Sequence, residues 1–253
     1  MNEPMKPKLG LLPLTLELYQ EYKPELEKQQ RPFIGEIADS FGVFAEVTTA
    51  PVCATTSDVR RAIGDFESND VDMIVVLFIS YATSISALNP LLETRLPLLL
   101  FSTTPKSSMA GGMTTEDIMC NHGVHGYMDL ANVLKRNRRQ FLFVSGTRDN
   151  ARAFEEIASW SRAAQVKKRL RRSIIGLAGY TFDGMGDFGI DTTSLNTGLG
   201  PEVRHVALND LADFIGNVAD DELEEECERD MKKYTIEPSI DRAILRESNR
   251  VYL

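Results

Sequence analysis

The chain has 253 residues, 43% of them hydrophobic and 26% charged, enough to bury a sizeable core in one large or two small domains. Its 37 acidic against 28 basic side chains leave a net charge of −9, which weighs against nucleic acid or an anionic membrane as the main partner. Three separated cysteines, Cys53, Cys120 and Cys227, imply no disulfide framework; MNEPMKPKLG lacks the long apolar run of a secretion signal, and the apolar run at 72–81 is too short to cross a bilayer. These features predict a soluble, cytoplasmic protein.

In chain order, KLGLLPL (8–14) reads as a first strand, and its exit LPLTLELYQEY places Glu17 and Tyr19 within reach of a ligand or, more plainly, in a packed helix. VFAEVTT (43–49) is a second strand. TTSDVRRAIGDFES is a helix capped by Thr56 or Ser57, with apolar residues at Val59, Ala62, Ile63 and Phe66. DMIVVLFIS (72–80), the helix YATSISALNPLLE and the strand LPLLLFST (96–103) follow. A long loop from Ser102 to Asn121 then carries TTPKSSMAGGMTTED, and loops of more than ~12–15 residues in a compact domain are usually functional or disordered. CNHGVHGYMD, Cys120 to Asp129, comes directly after it, leading into a helix, the strand QFLFVSGT (140–147) and the helix TRDNARAFEEIASWSRAAQ. RSIIGLAGYTF (172–182) and EVRHVAL (202–208) are the last strands. The tail from 219 holds two helical stretches and ends on Val251–Tyr252–Leu253 with no Gly or Pro, so the last helix is expected to be cut while still running.

Most of these strands are apolar on both faces and alternate with helices, which predicts an α/β fold. The expected form is a doubly wound parallel-sheet (Rossmann-like) domain over 1–165, with about five parallel strands within 8–147. A second, smaller or incomplete α/β domain is expected over 166–253, starting at a strand near Ile174. The basic run KKRLRR (167–172) marks the boundary; it and KRNRR (135–139) read as solvated helix ends.

In open α/β sheets ligands sit beyond the carboxyl ends of the strands. Two of the chain's three histidines, His122 and His125, lie there, three residues apart, so a helix starting at Asn121 or Gly123 would put both imidazoles on one side of its first turn. Imidazoles in that place could bond hydroxyls or move protons near neutral pH. The bland alternative is a pair of helix-cap histidines satisfied by backbone. Gly123 and Gly126 would let a ligand or another backbone come close. Adding Cys120 gives a three-ligand metal set without its usual fourth partner. GYTFDGMGDFGID (179–191) is a glycine-rich strand-end loop with Asp183, Met185 and Asp187, or a turn carrying acidic helix caps. No Ser-His-Asp order, P-loop or HExxH is present.

Taken together, LGLLPLTLELY, DVDMIVVLFISYATSISALNPLLETRLPLLLFSTT, NHGVHGYMDLANVLKRNRRQFLFVSGTRDN, IGLAGYTFDGMGDFGID and DMKKYTIEP resemble the L-arabinose isomerase / L-fucose isomerase family of aldose–ketose isomerases over essentially the whole chain. The Asn-His-Gly-x-His-Gly segment is the most specific match. The resemblance implies that Leu18, Tyr19, His122, His125 and Met185 border a substrate pocket in carbohydrate metabolism. Where the family tends to have Gln before its Leu-Tyr pair, this chain has Leu16 and Glu17, and Thr147 stands where a histidine is usual, so the sugar is left open. The family's chemistry uses a divalent, Mn-like ion and two carboxylates to pass a proton through an enediol. Family members are longer, and their metal ligands lie in a half that would follow Leu253; no metal ligand and no catalytic residue is assignable in this chain. The implied function is thus the N-terminal portion of a sugar ketol-isomerase, inactive alone, supplying pocket-rim residues. Its implied partners are a monosaccharide and either further copies or a C-terminal isomerase half, with no nucleic acid and no membrane. A standalone, non-catalytic sugar-binding or regulatory module and a decayed gene product are the competing readings.

Overall fold

A computed structural model describes residues 5–108, 112 and 114–253 of the chain. The centre of the long loop, residues 109–111 and 113, lies outside the described residues. The chain divides into two compact units, Met1–Arg169 and Leu170–Leu253.

In the first unit the elements run β1 (Lys8–Leu14), α1 (Glu17–Tyr22), α2 (Pro24–Gly42), β2 (Glu46–Thr49), α3 (Thr56–Ser68), β3 (Met73–Phe78), α4 (Ser84–Glu93), β4 (Leu98–Ser102), α5 (Thr115–Cys120), α6 (Gly123–Arg136), β5 (Leu142–Ser145) and α7 (Ala151–Arg171), the last passing into the second unit. The five strands form one parallel sheet in the order β2-β1-β3-β4-β5. Leu11 is paired with Val75, Val75 with Leu99 and Leu99 with Leu142, so β1, β3, β4 and β5 are in continuous register.

Two-sided apolar strands need cover on both faces, and alternation along each strand divides the core in two. Leu9 and Leu11 of β1 join Met73, Val75 and Leu77 beneath α2 and α7, where Phe33, Ile37, Phe41 and Ile157 pack. Leu12 and Leu14 join Ile74, Val76 and Phe78 beneath α3, α4 and α6, where Val59, Phe66, Leu91 and Leu130 pack. The sheet is therefore doubly wound, as its apolar strands predict. The cap of α3 differs from expectation: Thr55, not Thr56 or Ser57, receives the Asp58 N–H, and the Asp58 carboxylate accepts the Thr55 N–H in return. The reciprocal pair needs a hydroxyl three residues before an acid, and only Thr55 meets that spacing to Asp58.

The second unit holds β6 (Ile174–Ala178), α8 (Thr192–Gly198), β7 (Glu202–Val206), α9 (Leu208–Gly216), α10 (Asp220–Lys233) and α11 (Arg242–Tyr252). β6 and β7 form a two-stranded parallel sheet, Ile174 beside Glu202. Every residue of β6 is exposed, although its sequence is as apolar as that of a covered strand. Its two longest helices are held together by charge: Arg242 and Arg246 of α11 reach Glu224 of α10 at 2.5 and 3.3 Å, over a small buried contact of Leu223, Cys227 and Asn249. No helix among the described residues is long and apolar enough to cross a membrane.

Candidate functional site

With the order 2-1-3-4-5, connections leave β1 and β3 toward opposite faces, and the crevice beyond their carboxyl ends is where such sheets take ligands. Each of the three central strands exits through a buried hydroxyl residue: Thr15 after β1, Ser80 after β3 and Thr103 after β4. Thr15 Oγ1 and Ser80 Oγ are 2.8 Å apart and share a hydrogen bond across the β1–β3 boundary. Gln30 reaches the same edge from α2, its amide Nε2 donating to the Ile79 carbonyl. Its Oε1 and the Thr103 Oγ1 are buried without a hydrogen-bond partner. Leaving such a group unpaired costs about 1–3 kcal/mol, so two at one sheet edge call for a water or ligand to satisfy them.

The histidine pair sits at this edge because α6 is pressed onto the end of β3. A Cβ on Gly123 would come within 2.8 Å of the Phe78 carbonyl oxygen, and a Cβ on Gly126 would overlap the Phe78 ring. The two glycines thus serve the approach of another backbone, one of the alternatives their sequence left open. Tyr127, fully buried, completes the joint: its hydroxyl accepts the Phe78 N–H at 2.9 Å and donates to the Phe101 carbonyl, bridging β3 and β4. Burial pushes its phenol well above the ordinary range, so it is a fixed hydrogen-bonding group and not an acid. Asp129, half a turn on, accepts the Ser84 N–H at 3.0 Å and locks α6 to the start of α4.

The α6 helix begins at Gly123, with His122 at its N-cap position, and the His122 ring makes no capping hydrogen bond. The backbone-cap alternative therefore does not describe it. The rings of His122 and His125 lie with centroids 4.6 Å apart, and Tyr81, just beyond β3, lies against His122 at 5.6 Å. His122 is half-buried and His125 exposed. On the preceding helix, Asn121 fixes the loop: its Oδ1 accepts the Lys106 N–H at 3.1 Å and its Nδ2 donates to the Asp117 carbonyl at 2.7 Å. Lys23, between α1 and α2, pairs with Glu116 of α5 at 3.4 Å, which ties the exit of β1 to the helix leading into the histidines.

Of the other residues singled out in the sequence, Tyr19 is half-buried and Leu18 exposed, both on α1. Met185 belongs to the second unit, in the loop between β6 and α8, with its N–H bonded to the Phe182 carbonyl at 3.2 Å. In that same loop Asp191 caps α8 through the N–H groups of Thr193 and Ser194, the acidic-cap alternative for the end of that segment. Gln30, Tyr81 and Thr103 carry no sequence motif. The one legible signal at this edge belongs to Thr15, Ser80 and Thr103, each a hydroxyl residue set where an apolar strand ends.

Burial is the main influence on the Cys120 thiol and raises its pKa, which opposes the thiolate a metal would need. Among the described residues no group of three or more His, Cys, Asp or Glu side chains is arranged to hold a metal ion. The chain matches no known protein-family model and no curated protein.

Proposed function

We propose that the carboxyl edge of the first unit is a hydroxyl-binding rim for a monosaccharide, and that the chain is the N-terminal portion of an aldose–ketose isomerase of the L-arabinose/L-fucose type. The observation that carries this reading is the edge-to-face His122–His125 pair at the strand ends, with the His122 ring making no capping hydrogen bond. Both imidazoles have one donor and one acceptor when neutral, which suits sugar hydroxyls, and Gln30 Oε1 and Thr103 Oγ1 add unfilled polar capacity at the same edge. Tyr81 supplies an aromatic face beside them. The resemblance of the Asn-His-Gly-x-His-Gly segment to that family selects a sugar over other polyols. No catalytic step is routed through a metal here. In this proposal the Mn-like ion and the acid/base carboxylates come from a C-terminal isomerase half, and the chain alone turns over no sugar.

Three histidines in the whole chain make the test simple. Imidazole NMR signals are followed while L-arabinose or L-fucose is added. His122 and His125 should shift saturably, and His205, in β7 of the other unit, should not. His125→Ala should keep the fold and weaken binding by about 0.5–1.5 kcal/mol per lost hydroxyl bond. No shift with either sugar, or an equal shift of His205, would sink the reading.

A further inference from the structure

At the opposite, amino end of the sheet lies a cavity of about 650 Å³, a volume typical of small-ligand sites. Its floor is apolar, with Met73 and Leu98 buried at the starts of β3 and β4, and Trp160 of α7 forms part of the wall. Five cations line it: Arg95, Lys135, Arg138, Arg139 and Lys167. No acidic residue is among the lining residues, in a chain whose net charge is −9. The two basic runs, thirty residues apart in sequence and each readable as a solvated helix end, meet here.

Three details mark the cluster as built. First, the nearest acid in sequence is already neutralised: Asp72, beside Met73, is held by Lys168 at 2.9 Å and by the Lys8 N–H at 2.8 Å. None of the five lining cations has an acidic partner within salt-bridge distance among the described residues. Second, Arg139 is anchored by donating to the carbonyls of Leu91 at 3.0 Å and Leu96 at 2.6 Å, which leaves the rest of its guanidinium fork positioned at the cavity. Third, Arg138 stands just past the end of α6 with φ of 56°, where its N–H bonds Lys135 O and the Arg139 N–H bonds Leu134 O, both at 3.0 Å. That helix-ending turn favours glycine. An arginine kept in a strained backbone position is the kind of outlier that points to function.

We propose that this cavity binds a small organic phosphate with a planar apolar portion, of the nucleoside-phosphate class, at a site separate from the histidine edge. The arginine forks and lysines would take the phosphate oxygens, and Trp160 with the apolar floor would take the planar part. The proposal stands or falls independently of the isomerase reading, because it uses none of the same residues.

Trp160 is the chain's single tryptophan, so its fluorescence reports this cavity without mutation. The intact chain is titrated with ADP, pyrophosphate, adenosine and sulfate at matched ionic strength. Saturable change with ADP, weaker with pyrophosphate, and at least about tenfold weaker binding of adenosine are expected, since charge-assisted bonds carry the affinity. Arg138→Gly should weaken ADP binding while holding or raising the thermal midpoint, which separates loss of the site from loss of the fold, and Lys167→Ala should weaken it in parallel. No saturable response to ADP or pyrophosphate overturns the proposal. So does an equal response to sulfate, adenosine bound as tightly as ADP, or unchanged ADP binding by Arg138→Gly.

Discussion

Cys53 shows how one side chain ties sequence to pH response. Its thiol is buried below the end of β1, donates to the Pro51 carbonyl at 3.2 Å, and bridges the sheet edge through its backbone to Leu14 and Thr15. Burial, with the Asp58 charge adding to it and Arg61 opposing, raises its pKa from 9.0 to about 12. In the unfolded chain the thiol ionises near 9, whereas the folded chain must keep the proton until about 12. The unfolded state therefore binds fewer protons across that window, and stability falls as pH rises through it. Tyr127, also raised by burial, adds its own decline above its ordinary value of 10.0. Denaturant midpoints measured from pH 8 upward should drop less steeply in Cys53→Ala than in the parent chain; parallel curves would show that the thiol carries no such linkage.

At the scale of elements, the helix–strand joint at α6 and β3 and the loose surface of α3 make opposite predictions for the same substitution. Gly126 faces the Phe78 ring with no room for a Cβ, while Gly64 in α3 has nothing within 4 Å. Gly126→Ala should lower stability by roughly 1–3 kcal/mol through overpacking. Gly64→Ala should raise it by about 0.5–1 kcal/mol through helix propensity. Urea unfolding of the two variants checks both signs. Most strands were legible because they are apolar runs ended by polar or turn residues, and apolarity on both faces of β1, β3 and β4 told that helices would cover both. β6 defeats that rule, since its isoleucines and leucine lie exposed. The α3 cap falls one or two residues before its expected place because three hydroxyls in a row, Thr55, Thr56 and Ser57, compete locally, and only the reciprocal bond to Asp58 chooses among them. The place of the histidine pair was legible from strand order. Of its neighbours, Tyr81 and Thr103 were legible only as residues just past the ends of β3 and β4, and Gln30 was not, because tertiary contact brings it there from the middle of α2. For the same reason the two basic runs looked like helix ends until α6 and α7 set them around one cavity.

Across the whole molecule, apolar surface is distributed unevenly. The first unit holds nearly all of the buried core, while in the second Ile240, Ile244, Val251, Tyr252 and Leu253 are exposed. Large apolar side chains exposed in this number favour association. Sedimentation of the chain should show concentration-dependent association, and Ile244→Glu with Val251→Glu should shift it toward monomer. A monomer at all concentrations in the parent would refute a partner at this surface. The strand order has a further consequence, in time. Of the five strands of this sheet β1, an inner strand, is synthesised before the others, so both its neighbours, β2 and β3, are made after it. On a ribosome adding roughly 5–20 residues per second, KLGLLPL waits for seconds with neither edge paired and neither face covered. During that interval the nascent chain presents its most apolar segment to whatever is nearby, so the yield of folded protein should depend on chaperones that shield it before Phe78 emerges.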